Sequence, residues 1–399
     1  VPRRLLDVGE PHSNARIRLR LRNTRDIPES TLLWCTLSHC WGKAEILRLT
    51  EANMSALMEE VSPSELPQTF QEAVEVTRAL GIRYLWIDSL CIIQDPPNGP
   101  DWLQEGVKMH GIYKGSFCTI AASASTDANK GLFRFRDLSL LCPIEVSLNR
   151  DEAMPRRRLY RLFRKQNSYV VSRVWGHLAS QHLKVQPLNS RAWVCQERYL
   201  SPQTLHFSSQ LYYESKDCFL SETYPNKSLD LDQHDRMFRQ SFDFRHAMIQ
   251  SLAPSRFANK FYTFIRRKPR KEIWSSWHRV VEQNMACDIT RPSDRLIAIG
   301  ALAKVWKSAS QSEYLAGLWK GNLVYDLMWV CRPLSNTGSA EFIAPSWSWA
   351  RVSGGVSFGR ELEEDASVPL IDIVDTEIDL VGDDEMGQVS YGVIELRGI

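Results

Sequence analysis

A short apolar run that ends in an acidic residue constrains the fold of this chain most strongly. Residues 84–87 are all apolar and are followed directly by Asp88. Such a run is typical of a strand that is buried on both faces, as in parallel sheets. The loop after it contains three prolines, and Asp101 is predicted to cap the next helix with Gln104 as its capping partner. That helix carries Glu105 in its second turn.

Similar apolar runs lie on both sides of this one, separated by segments with helical spacing. Residues 32–37 and 117–122 are the flanking runs, and Thr69 and Glu72 form a predicted capping box for the helix between the first two strands. The order strand, helix, strand, helix, strand is the pattern of a parallel α/β sheet. We therefore predict that the three runs are parallel neighbours in one sheet with helices on its faces.

Composition excludes several classes of protein. The chain has 399 residues, with 49 Lys and Arg against 47 Asp and Glu, so its charge predicts neither a nucleic-acid nor a membrane partner. Its nine cysteines lack a Cys-x-x-Cys pair, which predicts neither a disulfide framework nor a metal site. The absence of a long apolar run and of a signal peptide predicts a cytoplasmic protein. Because the chain starts at Val1 and stops in a predicted strand, we expect a trimmed or incomplete chain.

Three regions are predicted along the chain. Residues 1–30 form an amino-terminal strand and extension, residues 31–215 an α/β domain that closes with strands at 204–207 and 211–214, and residues 216–399 a mixed helical and then β-rich region. The third region should pack on the second, because so much exposed aromatic surface would aggregate. Its tryptophans are Trp274, Trp277, Trp306, Trp319, Trp329, Trp347 and Trp349.

A series of short motifs spans residues 31–215. They include Leu37-Ser38-His39-Cys40-Trp41-Gly42, Leu66-Pro67-Gln68-Thr69-Phe70, the run from 81 to 95, Asp101-Trp102 with Glu105, Ile112-Tyr113, Gly131-Leu132-Phe133 and Asn189-Ser190-Arg191-Ala192-Trp193 through Gln196-Glu197-Arg198. In this order the motifs resemble the heterokaryon incompatibility (HET) domain of filamentous fungi.

The resemblance implies a role in non-self recognition and programmed cell death after the fusion of unlike hyphae. HET domains have been likened to Toll/interleukin-1 receptor (TIR) domains, which have a flavodoxin-like fold. We therefore expect an α/β protein with a TIR- and flavodoxin-like, mostly parallel sheet flanked by helices, followed by a mixed α+β carboxy-terminal region.

Some TIR domains hydrolyse NAD with a glutamate that usually follows a tryptophan by four residues. Glu105 follows Trp102 by three. The resemblance implies the hypothesis that Glu105 is the catalytic carboxylate, with NAD or a related nucleotide as substrate and no bound cofactor. The reaction passes through a ribosyl cation, which a nearby carboxylate stabilises. The alternative for Glu105 is a surface glutamate near a helix amino terminus.

Binding residues are predicted where the strands end. Ser38 and His39 would contact a phosphate or ribose, Asp88 a ribose hydroxyl, and Trp41 or Trp102 would stack on a base, because ligands gather at the carboxyl ends of strands in open α/β sheets. Structural roles remain open for each: a turn for Ser38 and His39, a loop cap for Asp88, and core packing for the two tryptophans.

Two alternatives from other classes remain open. The domain could be a non-enzymatic signalling module that oligomerises, either with itself or with a protein partner. It could also be an enzyme acting on a small metabolite through Cys40 or Cys91 with His39 and Asp88. The apolar neighbours of Cys91 are typical of an inert buried thiol.

Overall fold

The structure is a computed structural model that describes residues 1–11, 18–43, 45–96, 99–136, 144–147, 168–171, 182–215, 217–226, 270–332, 342–359 and 370–398. Ten strands are described in the first 226 residues. They are β1 (Arg4–Asp7), β2 (Arg20–Asn23), β3 (Trp34–Ser38), β4 (Tyr84–Trp86), β5 (Cys118–Ala121), β6 (Ile144–Ser147), β7 (Ser168–Val171), β8 (Gln203–Phe207), β9 (Leu211–Ser215) and β10 (Phe219–Ser221).

Eight of these strands form one mixed sheet in the order β10-β9-β8-β5-β3-β4-β1-β2, and β6 pairs with β7 apart from it. The four central strands β8, β5, β3 and β4 are parallel, and the strands outside them are antiparallel. Cys35 of β3 is in register with Leu85 of β4 on one side and with Cys118 of β5 on the other. The prediction of three parallel neighbours, and with it the α/β class, is confirmed.

Helices cover both faces of the parallel centre. Those with both ends described in the first 226 residues are α1 (Met54–Glu59), α2 (Gln68–Ala79), α3 (Asp88–Cys91), α4 (Pro100–Lys114) and α5 (Ala192–Leu200). On one face of β3, the Trp34 indole donates to the Ile112 carbonyl of α4 at 3.2 Å. On the other face, Cys35 lies against Thr77 of α2. Successive side chains of a strand point to opposite faces, so β3 is buried between two helical layers.

The order of the central strands locates the ligand side of the sheet. Numbered along the chain, β3, β4, β5 and β8 are the first to fourth parallel strands, and their spatial order is 2-1-3-4. This is the doubly wound order of flavodoxin, in which ligands bind beyond the carboxyl ends of the first and third strands. The corresponding position here lies where β3 ends at Ser38 and β5 ends at Ala121.

The predicted cap of α4 is wrong. The helix begins at Pro100 with Gly99 as its N-cap, and no side chain caps it. The Asp101 carboxylate instead accepts hydrogen bonds from the Ile93 backbone at 2.9 Å and from the buried Arg4 guanidinium. A carboxylate this close to a buried guanidinium makes a stronger, charge-assisted bond than a cap would.

The predicted capping box of α2 is also wrong, since Pro67 occupies the N-cap position. Thr69 and Glu72 serve another segment. Thr69 Oγ1 accepts from the Gly131 backbone at 3.1 Å, and Glu72 Oε2 accepts from the backbones of Leu132 and Phe133, the latter at 2.7 Å. These side chains therefore tie the loop after β5 to the start of α2.

From residue 270 onward, the described residues form three further helices and six strands. They are α6 (Arg270–Met285), α7 (Arg295–Ser310), α8 (Leu323–Asp326), β11 (Tyr314–Leu315), β12 (Leu318–Trp319), β13 (Val330–Arg332), β14 (Gly355–Ser357), β15 (Ile371–Leu380) and β16 (Val389–Gly398). The six strands form three antiparallel two-stranded sheets, in which β11 pairs with β12, β13 with β14 and β15 with β16. This is the mixed α+β region that the sequence predicts.

Buried aromatic residues form the centre of this region. The Trp277 ring lies 5.7 Å from Trp306, 6.2 Å from Tyr314 and 5.4 Å from Trp319 between centroids. These residues belong to the same apolar core as Leu37, Phe70 and the other buried residues of the large sheet. Within the described part of the chain, the carboxy-terminal region packs against the α/β domain through α5 and α4. The predicted boundaries of the three regions stay predictions.

Candidate functional site

A buried polar cluster begins at the last residue of β3. The Ser38 hydroxyl donates to Glu197 Oε2, and Ser38 and Glu197 are 2 % and 6 % exposed. The Tyr113 hydroxyl of α4 also donates to the Glu197 carboxylate. Glu197 lies on α5, the helix that precedes the fourth parallel strand, so the cluster joins both helices of one face to the end of the first strand.

His39 continues the cluster towards β4. Its Nδ1 lies 4.0 Å from Asp88 Oδ1, and its ring packs edge-on against Phe70 at 4.9 Å. Burial lowers the pKa of His39 to about 4 despite the opposing charge of Asp88. The imidazole is therefore neutral near pH 7, and among the described residues its Nε2 has no hydrogen-bond partner.

Trp41 and Asp88 form the outer part of the cluster. The Trp41 indole donates to Asp88 Oδ2 at 2.9 Å, and Asp88 Oδ1 accepts from the Ser89 backbone at 2.7 Å. The Asp88 side chain is 26 % exposed, so this carboxylate faces solvent more than Glu197 does.

Arg191 provides the positive charge of the site. Its guanidinium donates to the carbonyl oxygen of His39. Burial raises the pKa of Glu197, while the charge of Arg191 and the hydrogen bond from Ser38 oppose that shift. Burial also raises the pKa of Tyr113, so its hydroxyl keeps its proton and remains a donor.

The net charge of the cluster depends on whether Glu197 is ionised. Two carboxylates, Asp88 and Glu197, lie beside one guanidinium and a neutral imidazole, which leaves an excess of one negative charge when both carboxylates are ionised. Fixed negative charge in a water-poor site stabilises a developing positive charge more strongly than water does.

Four of the six predicted site residues come together here: Ser38, His39, Trp41 and Asp88. Glu105 is placed differently. Its side chain is 1 % exposed, Oε2 accepts from the Arg3 backbone at 2.9 Å and Oε1 accepts from Lys108 Nζ at 2.9 Å. These partners connect Glu105 to the start of β1, and no hydrogen bond joins it to Ser38 or His39 among the described residues. Its catalytic role stays a prediction.

Trp102 also lies outside the hydrogen bonds of the cluster. Its ring packs edge-on against Trp193 of α5, with the centroids 6.4 Å apart. Both side chains are partly buried. This contact joins α4 to α5, the two helices that carry Tyr113 and Glu197.

The two candidate thiols are poorly suited to nucleophilic attack. Burial raises the pKa of Cys91 to about 12 and also raises the pKa of Cys40. The thiolate is the reactive form of cysteine, so both residues are held in the unreactive form near pH 7.

Tyr113, Arg191 and Glu197 are the members of the cluster that were not among the predicted site residues. A signal for Glu197 is present, because it follows Trp193 by four residues, the spacing that resemblance to TIR domains led us to expect. Glu105, the predicted catalytic residue, follows its tryptophan by three residues and lies closer in sequence to the predicted strand end. No side-chain pattern marks Arg191.

Other kinds of site find less support. In the part of the chain that the structure describes, no group of three or more His, Cys, Asp or Glu side chains is placed to hold a metal ion. No helix among those described is long and apolar enough to cross a membrane.

The fold and the cluster define a doubly wound α/β domain with a polar site at the switch point of its sheet. Residues 34–197, which include β3, β4, β5 and most of α5, match the family described as Heterokaryon incompatibility protein (HET). Residues 34–197 are therefore a HET domain, and this match supports a role in heterokaryon incompatibility. No curated protein and no solved structure matches the chain at a significant level.

Proposed function

We propose that this protein acts in heterokaryon incompatibility by hydrolysing the nicotinamide–ribose bond of NAD at the carboxyl end of β3. Glu197 is the charge-stabilising carboxylate. The proposal is carried by one observation: Glu197, four residues after Trp193, accepts a hydrogen bond from Ser38 where the first parallel strand ends. The proposal includes the likeness to TIR domains, because that likeness is what suggests NAD as the substrate.

The chemistry requires little proton transfer. As the bond between the ribose carbon and the nicotinamide nitrogen breaks, both electrons leave with nicotinamide, which becomes neutral, and positive charge develops on the ribose. Glu197 and Asp88 lie where their negative charge would stabilise that cation. Water then adds to the ribose carbon and loses a proton, giving ADP-ribose.

The other members of the cluster are assigned to binding and orientation. Ser38 and Tyr113 hold the Glu197 carboxylate by donating to it. Asp88 and neutral His39 are placed to meet ribose hydroxyls, and Trp41 supplies a flat face for a base. Arg191 is the cation available to a phosphate.

Activity is expected to depend on an activated state. Glu197 is only 6 % exposed, so substrate reaches it after the site opens. Self-association or a protein partner is the proposed trigger, in agreement with a signalling role. Assays therefore belong on concentrated protein and on protein dimerised through a fused, chemically induced dimerisation module.

The test compares wild type with Glu197→Gln and Glu105→Gln by measuring nicotinamide release. Glutamine keeps the shape of the side chain and removes its charge. Loss of one electrostatic contact to the transition state lowers turnover by about 10²–10³-fold, so Glu197→Gln should show that loss with NAD binding retained. Glu105→Gln should retain turnover, because its partners are Arg3 and Lys108.

Three other results have distinct meanings. Loss of activity in Glu105→Gln alone, with the fold intact, would move the catalytic role to Glu105. Equal release by all three proteins would remove both glutamates from the reaction. No release by any of them, together with no NAD binding, would replace the enzyme by an oligomerising interaction module.

A further inference from the structure

We propose that residues 284–288, which lie outside the family match, are part of the site because they hold the backbone around Arg191. This inference rests on the proposed function for its catalytic consequence, whereas its structural consequence can be measured without substrate. These residues are called the α6 clamp, since they include the last two residues of α6 and the three that follow.

Two backbone hydrogen bonds place the α6 clamp on either side of Arg191. The Asp288 N–H donates to the Ser190 carbonyl at 2.5 Å, and the Ala192 N–H donates to the Asp288 carbonyl at 3.0 Å. Together they form a parallel β-bridge between Arg191 and Asp288. Two residues that are far apart in the chain, Arg191 and Asp288, are thus fixed relative to each other.

The bridge replaces a missing cap. Arg191 is the N-cap residue of α5 and its side chain makes no capping hydrogen bond. The first N–H groups of a helix have no partner within the helix, and a buried one left unpaired is unfavourable. The Asp288 carbonyl supplies the partner for Ala192, so the start of α5 depends on the α6 clamp.

Side chains strengthen the same contact. Asn284 is 2 % exposed, and its Nδ2 donates to the Ala192 carbonyl at 3.0 Å. The Cys287 thiol lies 3.5 Å from the Asn189 carbonyl. Four consecutive residues, 189 to 192, therefore each have a partner in the α6 clamp or form the bridge to it.

This contact reaches the site through Arg191 and α5. The Arg191 guanidinium donates to the His39 carbonyl, and Glu197 lies about one and a half turns further along the same helix. Displacement of the start of α5 would move the site's cation and tilt the helix that carries its carboxylate. Asn284 is therefore a positioning residue, and the HET match alone does not contain the complete site.

The experiment uses the full chain with Asn284→Ala and the control Gln283→Ala. Gln283 is the neighbouring residue of α6, and its Oε1 accepts from Tyr199 at the far end of α5 at 2.7 Å. Both variants lose one hydrogen bond to α5, but only Asn284→Ala loses it beside Arg191. Asn284→Ser is a second variant, because a helical serine can bond to its own preceding turn and leaves no unpaired group.

The first readout is amide hydrogen exchange of residues 190–194 under native conditions. Removal of one buried hydrogen bond should speed exchange there by roughly tenfold in Asn284→Ala and Asn284→Ser, with no change in Gln283→Ala. The second readout is nicotinamide release. A small misplacement of site groups costs up to about 100-fold in turnover, so kcat should fall by roughly 10–100-fold in the two Asn284 variants and stay near wild type in Gln283→Ala.

Unchanged exchange at 190–194 in the Asn284 variants, or an equal change in Gln283→Ala, would overturn the proposal. So would faster exchange with undiminished turnover in an active wild type. If wild type releases no nicotinamide, the proposed function fails by itself, and the exchange pattern alone decides whether the α6 clamp holds the start of α5.

Discussion

His39 should make the stability of the protein depend on pH between about 6.5 and 4. The folded protein holds its imidazole in a buried, neutral form with a pKa of about 4, against 6.5 for a free histidine. Between these two values the unfolded chain binds a proton that the folded chain does not. Stability from this group is therefore complete above pH 6.5 and is lost as the pH falls towards 4.

The magnitude follows from the size of the shift. A shift of one pKa unit corresponds to about 1.4 kcal/mol. The lowered pKa of His39 should therefore reduce the free energy of unfolding by about 3 kcal/mol at pH 4 relative to neutral pH. Most of this loss should already be present at pH 4.5 by the same relation. Because His39 is fully buried, solvent screening removes little of the effect.

The variant His39→Gln isolates this contribution. Glutamine is polar and does not titrate, so any change in packing shifts the free energy of unfolding equally at every pH. Urea unfolding of both proteins at pH 7.5, 6.5, 5.5 and 4.5 gives the difference between them. This difference in the free energy of unfolding should be constant above pH 7. As the pH falls further, wild type should become less stable relative to the variant.

A flat difference would refute the reasoning. It would mean that the Asp88 carboxylate, 4.0 Å from His39 Nδ1, stabilises the imidazolium as strongly as burial opposes it. If wild type instead becomes more stable relative to the variant at low pH, the charge of Asp88 affects the pKa of His39 more strongly than burial does. Either result would remove the neutral imidazole from the proposed site.

Two structural predictions concern other regions. Asp101→Asn should lower the free energy of unfolding by about 3 kcal/mol in a urea titration, because the Arg4 guanidinium, 3 % exposed, loses its buried counter-charge; a loss below about 1 kcal/mol would contradict this. Gly317→Ala should cost about 3 kcal/mol, since its φ is +102° and a Cβ would lie 2.6 Å from the Trp349 ring. Gly382→Ala, where a Cβ meets nothing within 4 Å, is the matched control and should change stability by less than about 1 kcal/mol.

The centre of the sheet could be predicted because its signals are local. The parallel strands β3, β4 and β5 each lie in one apolar run, and the helix between β3 and β4 shows its spacing within twelve residues. The convergence of Ser38, His39 and Asp88 follows from the same pattern, because the carboxyl ends of parallel strands share an edge.

Long-range pairings could not be predicted. β1 lies between β4 and β2, and its Leu6 pairs with Leu85, far along the chain, so no local pattern reveals the contact. The same contact explains the position of Glu105, whose Oε2 accepts from Arg3 at the start of β1. Once the amino-terminal strand occupies this place, the Glu105 side chain of α4 is buried beside it.

Glu197 was missed for a related reason. Nothing local in the sequence shows which face of the sheet is covered by α5, the helix that carries Glu197. The face follows only from the contacts of Ser38 and Tyr113 with Glu197. The predicted caps of α4 and α2 were wrong for a similar reason. A carboxylate such as Asp101 or Glu72 can accept hydrogen bonds from a distant backbone as readily as from the end of its own helix.

The composition of the cluster itself argues for function over stability. Burying Glu197 beside the half-buried Arg191 is unfavourable, and apolar residues of similar size at such positions are often as stable or more so. His39 adds a buried ring nitrogen that has no partner among the described residues. A core selected only for stability would avoid this combination, and polar groups that violate the rules of packing concentrate at functional sites. These buried polar groups lie at the switch point of the parallel strands, which is where a fold of this class binds its ligands.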